Sequence, residues 1–172
     1  ESEKLFAYEI GYRTQPSKAL TVDIAAFANV YDDLRSFDPA GPSLEFTPPV
    51  PHIRIPVDVQ NKLRGESYGV ELAANWNVTQ DWRLSASYTY LTLQLHQSSS
   101  STDIVNQDLI EGSSPRNQFQ LHSYYNITKD LELNSSLYYV EDLRSGDGPS
   151  YVRLDAGVTW RAEDGLELSV GI

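Results

Sequence analysis

Three histidines, His52, His96 and His122, are the first residues to test for chemistry, because imidazole serves as general base, proton shuttle and metal ligand near neutral pH. None stands in a His-x-x-x-His pair or beside a glycine-framed serine, the arrangements that a zinc site or a serine nucleophile needs. Each therefore reads as a polar wall or loop residue. Cysteine is absent, which removes thiol nucleophiles, thiolate metal sites and disulfide frameworks together. Gly146 and Gly148 in Arg144-Ser145-Gly146-Asp147-Gly148 lead into a strand pattern, not a helix, so they make no phosphate cradle. The pairs Asp32-Asp33 and Asp108/Glu111 carry oxygen ligands suited to Ca²⁺ but lack the spacing of a dedicated site. No catalytic residue, resident cofactor or metal is expected.

What remains is binding chemistry. Arg35, Arg54 and Arg64 lie in or beside a stretch rich in proline, at Pro39, Pro42, Pro48, Pro49, Pro51 and Pro56. Proline stiffens such a segment and lowers the ordering cost of gripping a ligand. The three guanidinium groups, with Tyr31 at the start of the stretch, are candidates to hold an anionic ligand through charge-assisted hydrogen bonds. The alternative is that the arginines solvate the loop or pair with Asp32, Asp33 and Asp38.

Strands must position these residues. Period-2 alternation dominates and helical spacing is nowhere sustained. In Tyr151 to Arg161, Val152, Leu154, Ala156, Val158 and Trp160 share one face, and Arg153, Asp155, Gly157, Thr159 and Arg161 the other. The same design recurs in Leu20 to Tyr31, Tyr68 to Asn77, Phe119 to Asn126 and Leu131 to Tyr139. Lys4 to Arg13, Trp82 to His96 and an incomplete Leu166 to Ile172 complete about eight strands of roughly ten residues, the length that crosses a bilayer at a tilt. Within Trp82 to His96 the apolar phase slips from Leu84/Ala86/Tyr88 to Leu91/Leu93/Leu95, which predicts a bulge or kink.

The chain has 172 residues, with 13 Lys+Arg against 24 Asp+Glu and a formal charge of −11. That length suits one domain or a piece of one. A balance this acidic offers no basic patch for a phosphate backbone, so nucleic acid is excluded as a partner. No run of about 18 apolar residues exists to cross a membrane as a helix. The mean hydropathy of −0.41 does not speak against a barrel, since alternating strands average out as polar. The chain contains no Met and opens on Glu1-Ser2-Glu3, so it reads as a mature or excised segment.

Connections alternate in length. Short turns fall at 14–18, 79–81, 128–130 and 163–165, and long connections at 32–64, 97–116 and 141–150. Outer-membrane barrels have this asymmetry, with short periplasmic turns and long extracellular loops. Trp76, Trp82 and Trp160 all lie within a few residues of short turns, the expected place for an aromatic girdle at one membrane interface. The polar faces would then line a wet lumen, with lipid against the apolar ones. Two other readings stay open: a self-contained eight-stranded outer-membrane barrel of structural or adhesive role, and a soluble β-domain with a ligand in its interior.

An ordered series of fragments carries a resemblance. Tyr8-Glu9-Ile10-Gly11-Tyr12-Arg13, Ala25 to Leu34, Gly65-Glu66-Ser67-Tyr68-Gly69-Val70-Glu71-Leu72, Trp82 to Leu91, Ser114-Pro115-Arg116-Asn117-Gln118 and Tyr151-Val152-Arg153-Leu154-Asp155 together resemble the barrel of TonB-dependent outer-membrane receptors across essentially the whole chain. The resemblance implies an all-β, antiparallel up-and-down transmembrane barrel of about 22 strands. Residues 1–172 would form a late part of it, with the plug and last strand outside them. It further implies a bacterial outer-membrane location and contact with its lipid. The cargo would be a ferric siderophore, cobalamin or similar nutrient, and the TonB energising complex would be engaged through an N-terminal part outside these residues.

Overall fold

The computed structural model describes residues 2–46, 50–103, 106–146, 148–163 and 165–172. Pro48, Pro49 and Asp147, named above in the long connections, and Asp164 of the short turn 163–165 lie outside the described residues. The strands are β1 (Lys4–Ser17), β2 (Leu20–Pro39), β3 (Ser43–Glu45), β4 (His52–Arg54), β5 (Val57–Asn77), β6 (Trp82–Gln97), β7 (Asn117–Asn126), β8 (Leu131–Val140), β9 (Tyr151–Glu163) and β10 (Leu166–Gly171). One short helix, α1 (Asn106–Gly112), precedes β7.

Eight strands form one antiparallel sheet in the order β1-β2-β5-β6-β7-β8-β9-β10, and β3 and β4 form a separate hairpin. Each sheet strand pairs with its neighbour in sequence, so the topology is up-and-down. β1 and β10 are the two edges, and no described residues pair them with each other. An eight-stranded barrel closed on itself is therefore not what these strands make.

Register turns the alternation of each strand into two continuous faces. Ile10 pairs with Ala26, Ala26 with Val70 and Val70 with Tyr90; Leu137 pairs with Leu121 and with Leu154. Along these pairs that face is apolar, yet Ile10 is 75% exposed and Leu154 67%. The opposite face carries Asp23 opposite Ala73, Ser87 opposite Gln120, and Asp155 opposite Ser136. Because the side-chain period is 2, a slip of one residue in any pair would have mixed the faces. The polar face is cross-linked. Arg13 pairs with Asp23, Arg161 reaches Glu132 at 3.2 Å and Glu167 at 3.1 Å, and Arg153 meets Asp155 at 3.1 Å while lying over the Tyr138 ring.

On β5 the apolar face runs Trp76, Ala74, Leu72, Val70, Tyr68 and then turns polar at Glu66 and Arg64. The ten steps from Trp76 to Glu66 span about 33 Å of strand, or about 25 Å of height at a tilt of about 40°, the height of a barrel's lipid-facing band. No described helix is long and apolar enough to cross a membrane.

Two expectations change. The stretch 32–64 is not mainly loop: β2 runs on to Pro39, β5 begins at Val57, and the β3–β4 hairpin stands between them. Pairing of Phe37 with Val59 and Pro39 with Val57 sustains this extension beyond the apolar band. The bulge also lies elsewhere. β6 keeps an unbroken register against β5 from Asn77/Arg83 to Leu63/Gln97, while the irregularity falls in β2 between Tyr31 and Ser36, where Asp33 takes a φ of 57°. The leucines of β6 change phase because the polar face itself becomes apolar there, where α1 packs on β6. Leu95 and Leu63 are buried to 2% exposure on that face.

Candidate functional site

The end of the sheet that carries the long connections is where side chains of several elements converge. Asp38, near the end of β2, is 4% exposed, and Ser36 beside it is fully buried. The Thr102 backbone N–H donates to Asp38 Oδ1 at 2.5 Å, the Ser36 hydroxyl donates to Oδ2 at 2.7 Å, and Lys62 Nζ lies 3.6 Å away. Lys62 also donates to the Ser100 carbonyl at 2.9 Å. Asp103, 2% exposed, accepts from the Phe37 N–H at 2.8 Å. These bonds tie the 98–103 segment to the β2–β5 extension. Further along, Glu111 of α1 accepts from the Leu95 N–H at 2.6 Å, and the Ser145 N–H donates to the Gly112 carbonyl at 3.2 Å. All three long connections are thus joined by buried or half-buried hydrogen bonds.

The Thr102 N–H is the chief reason that the Asp38 carboxyl falls from 3.8 to about 2; Ser36, Ser101 and Lys62 add to it, against the opposing effect of burial. A lowered carboxyl supports the fold while ionised. Its contribution is complete above the ordinary value of 3.8 and is lost as pH falls through about 2. Hydrogen exchange at Thr102 is expected to stay slow at pH 5 and to quicken between pH 4 and 2. Protection unchanged at the acid end would contradict the clamp.

Tyr31 lies at the last regular β2–β5 pair before the bulge, opposite Gly65. Its hydroxyl meets Ser67 Oγ at 3.2 Å, and Asn29 Nδ2 donates to the same oxygen at 3.1 Å, on the polar face. The arginines are dispersed. Arg35 is exposed on β2, with its backbone N–H bonded to Glu3 at 3.0 Å. Arg54 is exposed on β4 opposite Ser43. Arg64 sits opposite His96, on the same face as Tyr68 and away from Tyr31. Among the described residues, no pairing of these arginines with Asp32, Asp33 or Asp38 occurs: Asp33 pairs with Lys4 at 2.5 Å and Asp38 with Lys62. The sequence offered Asp38 only as an arginine partner and Glu111 only as a Ca²⁺ ligand, and Ser36 and Asp103 not at all, since a segment read as loop offers no period.

His52 lies 3.6 Å from Glu45 in the β3–β4 hairpin, His96 lies 3.3 Å from Glu66, and His122 Nδ1 is 2.9 Å from Ser136 Oγ. No cluster of His, Asp or Glu among the described residues has the geometry to hold a metal ion. Glu111, half of one supposed Ca²⁺ pair, is used by Leu95.

At the opposite end, Trp76, Trp82 and Trp160 all project on the apolar face, opposite Leu20, Tyr125 and Leu131 in register. Trp82 Nε1 donates to Ser123 at 3.0 Å, and its ring meets Tyr125 edge-on at 6.2 Å.

The family model "TonB dependent receptor-like, beta-barrel" matches residues 1–172. The chain is 28% identical over 117 residues to a probable TonB-dependent siderophore receptor, PiuA, of Acinetobacter baumannii, an alignment covering 60% of this chain and 16% of that receptor. Among solved structures it resembles the ferric yersiniabactin uptake receptor FyuA of Yersinia pestis, with a TM-score of 0.69 and 19% identity over 98% of this chain and 24% of that one. It also resembles the FrpB iron transporter of Neisseria meningitidis, with a TM-score of 0.70 and 14% identity over 99% of this chain and 26% of that one. At these identities the two structures establish the fold. The chain spans about a quarter of the length of those structures and less of the curated receptor. These relatives are receptors and transporters, not enzymes. With the family matched end to end, and a sheet that is apolar on one face and polar on the other, the chain is a stretch of bacterial outer-membrane barrel and belongs to the TonB-dependent receptor-like β-barrel family.

Proposed function

We propose that these strands form part of the wall of an energised outer-membrane importer for a metal chelate, with a ferric siderophore as cargo. The observation that carries this reading is the polar face running beneath three long connections that are hydrogen-bonded together. That arrangement provides a wet inner surface with a preorganised mouth. Unpaired N–H and C=O groups on β1 and β10 are untenable in hydrocarbon, so further strands flank both edges and close a larger barrel. The long connections then face the medium, the short turns face the periplasm, and Trp76, Trp82 and Trp160 form the girdle at the periplasmic interface. Relatives named for siderophore, ferric yersiniabactin and iron favour iron over cobalamin. The energising TonB complex acts through a part outside these residues.

At the mouth, Tyr31, Arg35 and Arg54 are the proposed ligand contacts, with Arg64 as an outlying member of the set. In the complete receptor, replacing Arg35 and Arg54 together with Ala is expected to weaken ferric-siderophore binding by about tenfold, the effect of one or two charge-assisted hydrogen bonds. Arg64→Ala should change it by less than about twofold, as expected for an exposed surface charge. Titration calorimetry reads the affinities, and growth under iron limitation with supplied siderophores reads uptake. An unchanged affinity would remove the arginines from the site; growth indifferent to the receptor with every ferric chelate tested would overturn the import reading.

A further inference from the structure

The apolar face is not smooth at its short-turn end. A cleft of about 640 Å³ opens between the β5–β6 and β7–β8 turns, on the side of the sheet that faces lipid. One wall is rigid: Trp82 is held by its bond to Ser123 and by the edge of Tyr125. Leu133 and Ile127 complete an apolar floor, and Ile127 is 46% exposed. Asp81 is the only charged residue among those described as lining the cleft, and it also lines a neighbouring cleft with Arg83 and Glu132. Its backbone N–H is used by Thr79, while its carboxylate has no partner among the described residues.

We infer that this cleft holds one phospholipid whose headgroup carries an ammonium, with an acyl chain against Trp82, Tyr125 and Leu133 and the ammonium at Asp81. Continuity with the lipid-facing band names the class of occupant, because whatever fills an outward cleft at this depth comes from the bilayer. Charge selects among lipids: Asp81, the one charged side chain described as lining this cleft, attracts an ammonium and repels a purely anionic headgroup. Aromatic rings with a polar edge suit the boundary between acyl chains and headgroups. The inference rests on the reading that the short turns lie at a membrane interface.

The test uses the complete receptor, purified and exchanged into an equal mixture of phosphatidylethanolamine and phosphatidylglycerol, with bound lipid counted by native mass spectrometry. One phosphatidylethanolamine is expected to survive delipidation, favoured over phosphatidylglycerol by roughly threefold to fivefold, the strength of a single partly exposed ion pair. Asp81→Asn, a turn substitution that leaves the sheet intact, should abolish the preference. Leu133→Trp should fill the cleft and remove the adduct. No retained lipid, or equal retention of the two lipids before substitution, would overturn the inference. Quenching of Trp160 by brominated acyl chains is read in parallel. If Trp160 is quenched while the adduct is missing, only the cleft proposal fails; if Trp160 is not quenched, the membrane reading fails with it.

Discussion

Leu72→Arg is expected to destabilise the membrane-inserted barrel by about 2–4 kcal/mol, the cost of a lipid-facing arginine near the bilayer midplane. Leu72 lies midway along the apolar face of β5 between Trp76 and Tyr68, and it is 39% exposed on a face that has only lipid to cover it. Asn75→Arg, three residues away on the polar face, should shift stability by no more than about 0.5 kcal/mol, since the new charge meets water. Denaturant titration in lipid vesicles checks both. The contrast matters more than either value, because a soluble sandwich would reverse it: the apolar face would then be the dry core and the polar face the outside. Equal tolerance at the two positions would contradict the assignment of faces.

Gly69→Ala is expected to cost about 2 kcal/mol through overpacking, although alanine is ordinarily the better residue in a strand. A Cβ at this position would stand 2.2 Å from the Tyr90 carbonyl oxygen and 2.6 Å from the Phe27 ring. The ring can swing away. The oxygen cannot, because it belongs to the backbone of β6 and is fixed by the ladder in which Gly69 pairs with Leu91. Gly11→Ala supplies the comparison: its nearest neighbour would be the Ile24 carbonyl oxygen at 3.8 Å, an ordinary contact. That change should be neutral within about 0.5 kcal/mol. Adding Phe27→Leu to Gly69→Ala should recover only part of the loss, since the clash with Tyr90 remains. Unfolding midpoints in detergent measure the series, and a neutral Gly69→Ala would show that the β5–β6 spacing is looser than the structure has it.

Both predictions depend on register, and register separates what was legible from what was not. The eight strands of the sheet were readable because each alternates apolar and polar residues with a period of 2, and the turns at 79–81 and 128–130 punctuate them. The β2–β5 extension was missed because its stability comes from pairing, not from alternation: Phe37 and Val59 meet across strands in a segment dense with proline. The phase change in β6 was visible, but its cause was not. A bulge and a change of what covers the face leave the same trace in a single strand, and only the neighbour shows that β6 stays in register while α1 lies beside it, Glu111 accepting from the Leu95 N–H.

The candidate site divides in the same way. The face of Tyr31 was legible, since it continues the alternation of β2; whether it contacts a ligand is the proposal made above. The carboxylates of Asp38 and Asp103 looked like any loop acids; their partners, Thr102 and Phe37, lie 64 and 66 residues away in sequence. Arg64 was grouped with Arg35 and Arg54 by nearness along the chain, but the β2–β5 pairing of Tyr31 with Gly65 puts it on the face opposite Tyr31.

By itself, then, the sequence determined an all-β fold, which residues share each face and the asymmetry between short and long connections, because these follow from periodicity and turn chemistry within a few residues. Only the tertiary structure decided that β1 and β10 do not pair with each other among the described residues, and that the long connections are bonded to one another. Those features depend on hydrogen bonds between residues far apart in the chain, which no local pattern records.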